Sequence, residues 1–98
     1  MENYWRLSGE IVRIKDLYAD DNSASVLVRT TAKRINEEMI RICEMCVSIP
    51  SVLYKTLNLK PYMIVDLQGH FETQVKETDL NMRYKTFFIV DDCLVRKG

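Results

Sequence analysis

KPYMIVDLQGHFET, residues 60–73, carries the strand pattern on which the predicted fold depends. Its apolar residues recur at every second position, a period that is typical of a strand with one buried face. The inward positions are Met63, Val65, Leu67, Gly69 and Phe71. Pro61 cannot donate a hydrogen bond to a neighbouring strand and therefore marks the start of the strand. Glycine on the inward face permits a sharp bend, which a small and highly curved barrel requires.

The composition indicates one folded domain with no long-range attraction to a polyanion. The chain has 98 residues, and its 47% hydrophobic and 29% charged residues are ordinary globular values. Fourteen Lys and Arg residues balance fourteen Asp and Glu residues, so the formal net charge is zero. Any nucleic-acid site would therefore have to be a local basic patch.

The cysteine count and the N-terminal residues predict the compartment. Three cysteines, an odd number, argue against a disulfide framework and favour a reducing compartment. The first residues, MENY, lack the character of a signal peptide, and no apolar run approaches the ~20 residues of a membrane span. We therefore expect a cytoplasmic protein that does not bind a membrane.

The apolar patterns predict five strands and one helix. Strands are expected at residues 4–15, 24–31, 39–49, 62–73 and 84–95, and a helix is expected at residues 51–58 with the apolar stripe Val52, Leu53 and Leu57. Three strands, a helix and two strands is the order of the OB-fold, a five-stranded Greek-key barrel. The sequence thus predicts a mainly β protein in which residues 1–98 form a single OB-fold domain.

Local features refine this prediction. The apolar pattern changes phase after Gly9, which indicates a bulge in the first strand. Glu44 interrupts the inward pattern that Ile40 and Ile42 would set in the third strand, so we expect a bulge or a strand end there. The helix begins with Ser51 as N-cap or with Pro50 just outside it. Residues 74–82 are polar and are expected to form a hairpin loop.

Several short segments resemble a known family when they are taken in order. They are WRLSG (5–9), EMIRI (38–42), KP (60–61), VDLQGHF (65–71) and RYKT (83–86). Together they resemble the OB domain of bacterial single-stranded DNA-binding proteins and the related primosomal replication protein B, over residues 3–95. The resemblance implies a non-catalytic protein of DNA replication, DNA repair or mobile-element maintenance. Its implied partners are single-stranded DNA or RNA and further copies of the same chain, in a dimer or tetramer.

The chain departs from that family at the positions that stack on bases. Where the family carries its principal aromatic residues, the register places Met39, Met45 and approximately Lys76. Asp66 and Glu72 on the outer side of the fourth strand are expected to repel phosphate. Since base stacking contributes ~1–3 kcal/mol per base, the resemblance predicts weaker binding or a different path for the strand.

Cations on the second and third strands and beside the last hairpin form the candidate nucleic-acid site. The strands and loops that bind ligands in an OB-fold carry Arg29, Lys33, Arg34, Met39, Arg41, Lys76, Arg83, Tyr84 and Lys85. Arg29 and Arg41 are both expected on the outward face. The cations would bind phosphates, while the methionine and tyrosine would contact bases. The alternative is an ordinary solvated surface.

Aromatic and aliphatic residues at both ends of the chain form a candidate oligomer interface. Its predicted members are Tyr4, Trp5, Leu7 and Phe88. Phe87 and Phe88 are adjacent and must face opposite sides of a strand, so one of them leaves the barrel interior. The resemblance implies assembly through the first strand and the sheet surface. Burial beneath the helix or a terminus is the alternative.

No catalytic residue, cofactor or metal is predicted. Cys43 and Cys46 would point to opposite faces of a straight strand, and only Cys93 and His70 remain to complete four zinc ligands. His70 has no neighbouring nucleophile with which it could form a catalytic pair. The acidic pairs at residues 20–21 and 91–92 are explained more simply as solvated charges of turns and strand edges than as a metal site. The alternative function is an OB-fold module that binds proteins, with weak or no affinity for nucleic acid.

Overall fold

Five strands and one short helix form the barrel that the sequence predicts. The computed structural model describes residues 2–16, 22–77 and 80–98. The elements are β1 (Trp5–Asp16), β2 (Ser23–Lys33), β3 (Ile40–Pro50), α1 (Ser51–Leu57), β4 (Ile64–Glu77) and β5 (Met82–Lys97). The strands close in the order β1-β2-β3-β5-β4, with α1 between β3 and β4 in the chain. This topology is the OB-fold, so the predicted fold class is confirmed.

β1 takes part in two ladders because a bulge turns it. Its first half, from Trp5 to Glu10, pairs with β4, and its second half, from Glu10 to Asp16, pairs with β2. The register shifts between Ile11 and Arg13. The phase change predicted after Gly9 is thus confirmed, and it is the corner at which the sheet curves into a barrel.

Gly69 is the bend in β4. The register between β4 and β5 shifts between Gln68 and Gly69. A Cβ atom on Gly69 would overlap the carbonyl oxygen of Ile89 and would lie 2.7 Å from a ring carbon of Trp5. Trp5 also donates its indole N–H to the carbonyl oxygen of His70 at 2.9 Å. Glycine is therefore required for the close approach of β1, β4 and β5, as the pattern of residues 60–73 predicts.

The core lies inside the barrel, on one side of this bend. Its most deeply buried side chains are Ile11, Val26, Val28, Val47, Ile49, Val65 and Val90. Leu67 is buried as predicted, but Phe71 is 37% exposed, so its predicted place inside the barrel is wrong. Phe71 follows Gly69 and lies where β4 leaves the barrel, packing edge-on against Phe88 with ring centroids 4.9 Å apart.

β4 and β5 continue beyond the barrel as a two-stranded arm. Cross-strand pairs extend through Thr73 with Thr86 and Val75 with Tyr84 to Glu77 with Met82. The loop predicted over residues 74–82 is therefore wrong for most of its length, while residues 78 and 79 lie outside the described residues. Neither face of the arm covers the core, so its polar sequence lacks the alternation that marks a half-buried strand.

β2 and β3 form a regular ladder, which corrects the prediction at Glu44. Pairing runs without a register shift from Ser23 opposite Pro50 to Lys33 opposite Ile40. Cys43, Met45 and Val47 share the inward face, so Glu44 is simply an outward residue. Ile40 and Ile42 also lie outward and are 64% and 73% exposed. Their apolar character predicts that they face the core, and this prediction is wrong.

α1 is short and covers one end of the barrel. Pro50 is its N-cap residue, without a capping side-chain hydrogen bond, and Asn58 ends it in the left-handed region with φ 50°. Leu53 and Leu57 pack against the core, and Leu59 is buried just beyond the helix. Val52 is 79% exposed, so its predicted place in the apolar stripe is wrong. It lies on the solvent side of the first turn.

Candidate nucleic-acid interface

The outer face of the β2–β3 hairpin carries the first group of predicted site residues. Residues that are directly opposite in an antiparallel ladder share a face. Arg29 pairs with Glu44, Thr31 with Ile42 and Lys33 with Ile40, so these six side chains define the outer face of the hairpin. Arg41 pairs with Ala32 and lies on the opposite face. The prediction that Arg29 and Arg41 share the outward face is therefore wrong, because they occupy different parities of the ladder.

Arg29 is held by a carboxylate across the ladder. Its Nη2 and Nε atoms both donate to Oε1 of Glu44, at 2.8 and 3.2 Å. The hydrogen bond and the charge of Glu44 raise the pKa of Arg29 above its ordinary value. Both side chains are more than two-fifths exposed, so the pair is open to solvent and to competition from another anion.

The turn of the β2–β3 hairpin joins two further predicted cations through one carboxylate. The amide of Glu37 donates to the carbonyl of Arg34, and Asn36 has φ 67°, a left-handed value that asparagine tolerates. Glu37 pairs with Arg41 at 3.1 Å and with Arg34 at 3.7 Å. The arginines of the predicted site are thus partly neutralised.

Three predicted cations and two predicted base contacts lie free of carboxylates. Lys33, Arg83 and Lys85 are exposed and form no ion pair with a described residue. Met39 is 63% exposed just before β3, and Tyr84 is 66% exposed on the arm. Tyr84 pairs with Val75 and so occupies the arm face opposite Lys85. The side chain of Lys76 lies outside the described part of the structure.

A groove of about 660 Å³ separates β3 from β5. Among the described residues, the register between these two strands contains the single pair Ser48 with Ile89, so the strands diverge beside it. Ser25, Cys46 and Ser48 line one wall, and Gln74, Lys85, Thr86 and Phe87 line the other. Lys85 holds its Nζ atom 5.1 Å from the centroid of the Phe87 ring. Phe87 is not among the site residues predicted from the sequence. Two adjacent phenylalanines in one strand must face opposite sides, and this pattern could have indicated that one of them is available to a ligand.

Glu72, which lines this groove, is linked through His70 to a second carboxylate, Asp91. His70 contacts Asp91 through Nδ1 at 2.7 Å and Glu72 through Nε2 at 2.6 Å. Both nitrogens can donate only when the imidazole is protonated, and these hydrogen bonds, that to Asp91 first, raise the pKa of His70. One imidazolium would compensate only one of the two carboxylate charges, so Glu72 keeps part of its expected repulsion of phosphate.

Asp66, the other acidic residue expected to repel phosphate, is also paired. It accepts hydrogen bonds from Arg96 at 2.7 Å and from the Ser8 hydroxyl at 2.5 Å. Asp66 lies with Ser8 and Arg6 on the side of the barrel formed by β1, β4 and β5. Its charge is thus compensated locally and away from the groove.

Three of the four residues predicted for oligomerisation pack within one chain. Trp5, Leu7 and Phe88 are half-buried against the core, and the rings of Trp5 and Phe88 meet edge-on at 6.0 Å. Tyr4 is 58% exposed. Met45, matched by the resemblance to a stacking aromatic, is also half-buried against the core. The first strand therefore offers mainly its backbone edge and Tyr4 to another molecule.

The cysteines are unpaired and dispersed. Cys43 is half-buried, Cys46 is exposed, and the alternation of β3 places them on opposite faces. Burial raises the pKa of Cys93 to about 11. No cluster of metal-ligating side chains occurs among the described residues, and Asp20 and Asp21 lie outside them. Within residues 2–16, 22–77 and 80–98, no helix is both long and apolar enough to cross a membrane.

Solved structures with the same fold cover nearly the whole chain. No family model and no curated protein matches the sequence. The Plasmodium falciparum SSB in complex with ssDNA is 19% identical with a TM-score of 0.67, over 97% of this chain and 95% of that one. The mitochondrial single-stranded DNA-binding protein Rim1 of S. cerevisiae is 10% identical with a TM-score of 0.65, over 100% and 99%. The dimeric N-terminal domain of PriB from Thermoanaerobacter tencongensis is 13% identical with a TM-score of 0.63, over 98% of each chain. The resemblance stated from the sequence is thus confirmed for the fold.

Proposed function

We propose that the chain is a non-catalytic, OB-fold single-stranded DNA-binding protein. The observation that carries this proposal is the likeness, over nearly the full length, to a structure solved with single-stranded DNA. The unpaired cations Lys33, Arg83 and Lys85 support it, since they lie on the β2–β3 hairpin and the β4–β5 arm. These are elements that bind ligands in OB-folds.

The chemistry of binding divides between phosphate and base contacts. Lys33, Arg83 and Lys85 would contact phosphates and release counterions, which makes affinity fall with salt. Met39 and Tyr84 present exposed apolar surface to bases. The same chemistry would accept RNA, because none of these groups must contact a 2′ position. Arg29, Arg34 and Arg41 would join after exchanging Glu44 or Glu37 for phosphate.

We also propose a homo-oligomer, a dimer or tetramer, that uses β1. From Trp5 to Leu7, β1 pairs with β4 along one edge, and the described residues show no register pair along the other, whereas the next carbonyl, that of Ser8, accepts a hydrogen bond from the Thr30 hydroxyl of β2. An unpaired strand edge is a template for pairing with a second chain. Tyr4 lies exposed beside this edge. The PriB structure with this fold is dimeric.

A cytoplasmic role in DNA replication, repair or mobile-element maintenance completes the proposal. Three unpaired thiols, including the exposed Cys46, suit a reducing compartment. A protein-binding module is the second candidate function. The exposed side chains of Ile40 and Ile42, which lie side by side with Thr31 and Lys33, favour it.

Charge neutralisation on the proposed surface tests the function. Fluorescence anisotropy with labelled oligo-dT would compare the wild type with the triple variant Lys33→Gln, Arg83→Gln, Lys85→Gln. We expect weaker binding and a shallower dependence on salt, by a slope of about 0.7 per lost phosphate contact. The matched control is Lys55→Gln, Lys60→Gln, Lys97→Gln, which removes the same charge from exposed positions on or near α1 and at the end of β5. Equal losses in both triple variants would reject this surface.

A further inference from the structure

We propose that the groove between β3 and β5 holds one unstacked nucleobase against the ring of Phe87, with the adjoining phosphate near Lys85. This inference rests on the proposed binding of single-stranded DNA and adds a specific base site to it. It uses the half-buried Phe87 rather than the exposed Met39 and Tyr84 at the outer parts of the hairpin and the arm.

The groove exists because two strands of the barrel separate. β3 and β5 meet at Ser48 and Ile89 and share no other register pair among the described residues. Their separation leaves about 660 Å³ between the β2–β3 hairpin and the arm. Small-ligand sites of proteins typically have volumes of ~300–1,000 Å³, so the groove is large enough for a base.

Phe87 is the aromatic ring of this groove that packs against no other aromatic ring among the described residues. Trp5, Phe71 and Phe88 pack against one another on the other face of the arm. Phe87 pairs with Glu72 in the ladder and has no aromatic partner among the described residues. It is half-buried, so its position is fixed by the strand while part of the ring remains accessible. A rigid, partly exposed ring is a platform for a nucleobase.

The polar groups of the groove suit a base and a phosphate without selecting one base. The hydroxyls of Ser25 and Ser48 form no side-chain hydrogen bond with a described residue, and each can donate or accept. Lys85 covers one face of the Phe87 ring, with Nζ 5.1 Å from the centroid, so a stacking base would displace its ammonium group toward the adjoining phosphate. These features predict tolerance of all four bases, with the stacking interaction carrying the affinity.

The carboxylate in the groove is paired with a histidine. Glu72 is bound at its Oε2 atom by Nε2 of His70, and Asp91 contacts the opposite ring nitrogen. One imidazolium between two carboxylates leaves a net negative charge on this cluster. The phosphate contact is therefore assigned to Lys85 and not to the part of the groove beside Glu72.

Substitution of Phe87 distinguishes stacking from charge. With labelled oligo-dT, Phe87→Leu is expected to raise Kd about 5- to 100-fold and to leave the salt slope unchanged, because no phosphate contact is lost. Phe87→Trp is expected to retain binding. Phe71→Leu is the matched control, since it removes an aromatic ring from the opposite face of the same arm. An abasic oligonucleotide of equal length should bind the wild type and Phe87→Leu equally.

A second measurement keeps the test independent of stability. In Trp5→Phe, Phe87→Trp the only indole lies in the groove, and oligo-dT should quench its fluorescence while the abasic strand should not. If the wild type binds oligo-dT but Phe87→Leu binds it as tightly and the groove indole is not quenched, the base site is refuted and the proposed function stands. If the wild type does not bind oligo-dT, both the proposed function and the base site are refuted.

Discussion

At the scale of single residues, Gly69 is where a local property of the sequence determines the whole fold. Its missing Cβ atom lets the Ile89 carbonyl and the Trp5 ring approach β4. The sequence identifies this position because the glycine is in phase with the apolar residues of the inward face. The sequence does not identify Trp5 and Ile89 as its neighbours, because they lie on strands at opposite ends of the chain.

We predict that Gly69→Ala destabilises the protein by about 1–3 kcal/mol or more, since backbone atoms must move to admit the methyl group. Gly98→Ala is the matched control, because a Cβ atom there would meet side chains alone, the flexible end of Met63 at 3.1 Å and a methyl group of Val95 at 3.8 Å. Urea unfolding monitored by circular dichroism measures both variants. Equal stability of the two variants would contradict the packing described at Gly69.

His70 makes stability depend on pH. Its folded pKa is raised by hydrogen bonds to Asp91 and Glu72 above an unfolded value near 6.5. The folded state therefore binds the proton more tightly, and this contribution is fully present below the unfolded pKa. It is lost as pH rises through the folded pKa.

We therefore expect the urea midpoint to fall as pH rises from about 6 through the raised pKa of His70. The variant His70→Gln should lack this decrease, and NMR titration of the imidazole should locate it. A decrease that persists unchanged in His70→Gln would assign the pH dependence to other groups.

At the scale of elements, the β2–β3 hairpin pairs its arginines with carboxylates, for which the phosphates of the proposed ligand would have to compete. Exposed ion pairs of this kind contribute only ~0.2–1 kcal/mol, so they restrain the arginines weakly. The sequence placed these cations on the correct hairpin. It did not show their carboxylate partners, because a cross-strand pair depends on register and Glu37 reaches two arginines only through the turn at Asn36.

We predict that Glu37→Gln strengthens oligo-dT binding by roughly 1.5- to 5-fold, because Arg34 and Arg41 lose their competing partner. Glu38→Gln is the control, since it removes the same charge from the next residue, which forms no ion pair with a described residue. Anisotropy titrations at fixed salt compare the two variants. The same gain in both would show that overall charge, not release of the arginines, is responsible.

The arm of β4 and β5 shows why the sequence pattern can fail to predict a strand. Residues 74–82 are polar and lack alternation, a pattern that predicts a loop. Yet cross-strand pairs continue to Glu77 and Met82, since the ladder begun in the barrel extends along the same backbone. Hydrophobic periodicity reports burial rather than hydrogen bonding, and the arm is a strand pair with little burial.

At the scale of the whole molecule, the order of elements was more informative than any motif. Three strands, a helix and two strands gave the OB-fold because that order has few compact solutions. The sequence did not predict which cations of the surface are paired with carboxylates and which are free to bind a ligand. The zero net charge conceals an uneven surface, where Arg29, Arg34 and Arg41 are paired while Lys33 and Lys85 are free of carboxylates. Such a distribution arises only from the folded chain.

The central claim is that this neutral barrel binds single-stranded DNA through local cations and base contacts. Titration of labelled oligo-dT and of a duplex of equal length, at ~50 mM and ~200 mM salt, tests it most directly. We expect saturable binding of oligo-dT at low salt, weaker binding of the duplex, and a loss of affinity for oligo-dT at the higher salt concentration. Absence of oligo-dT binding at micromolar protein in low salt, or equal affinity for the duplex, would contradict it.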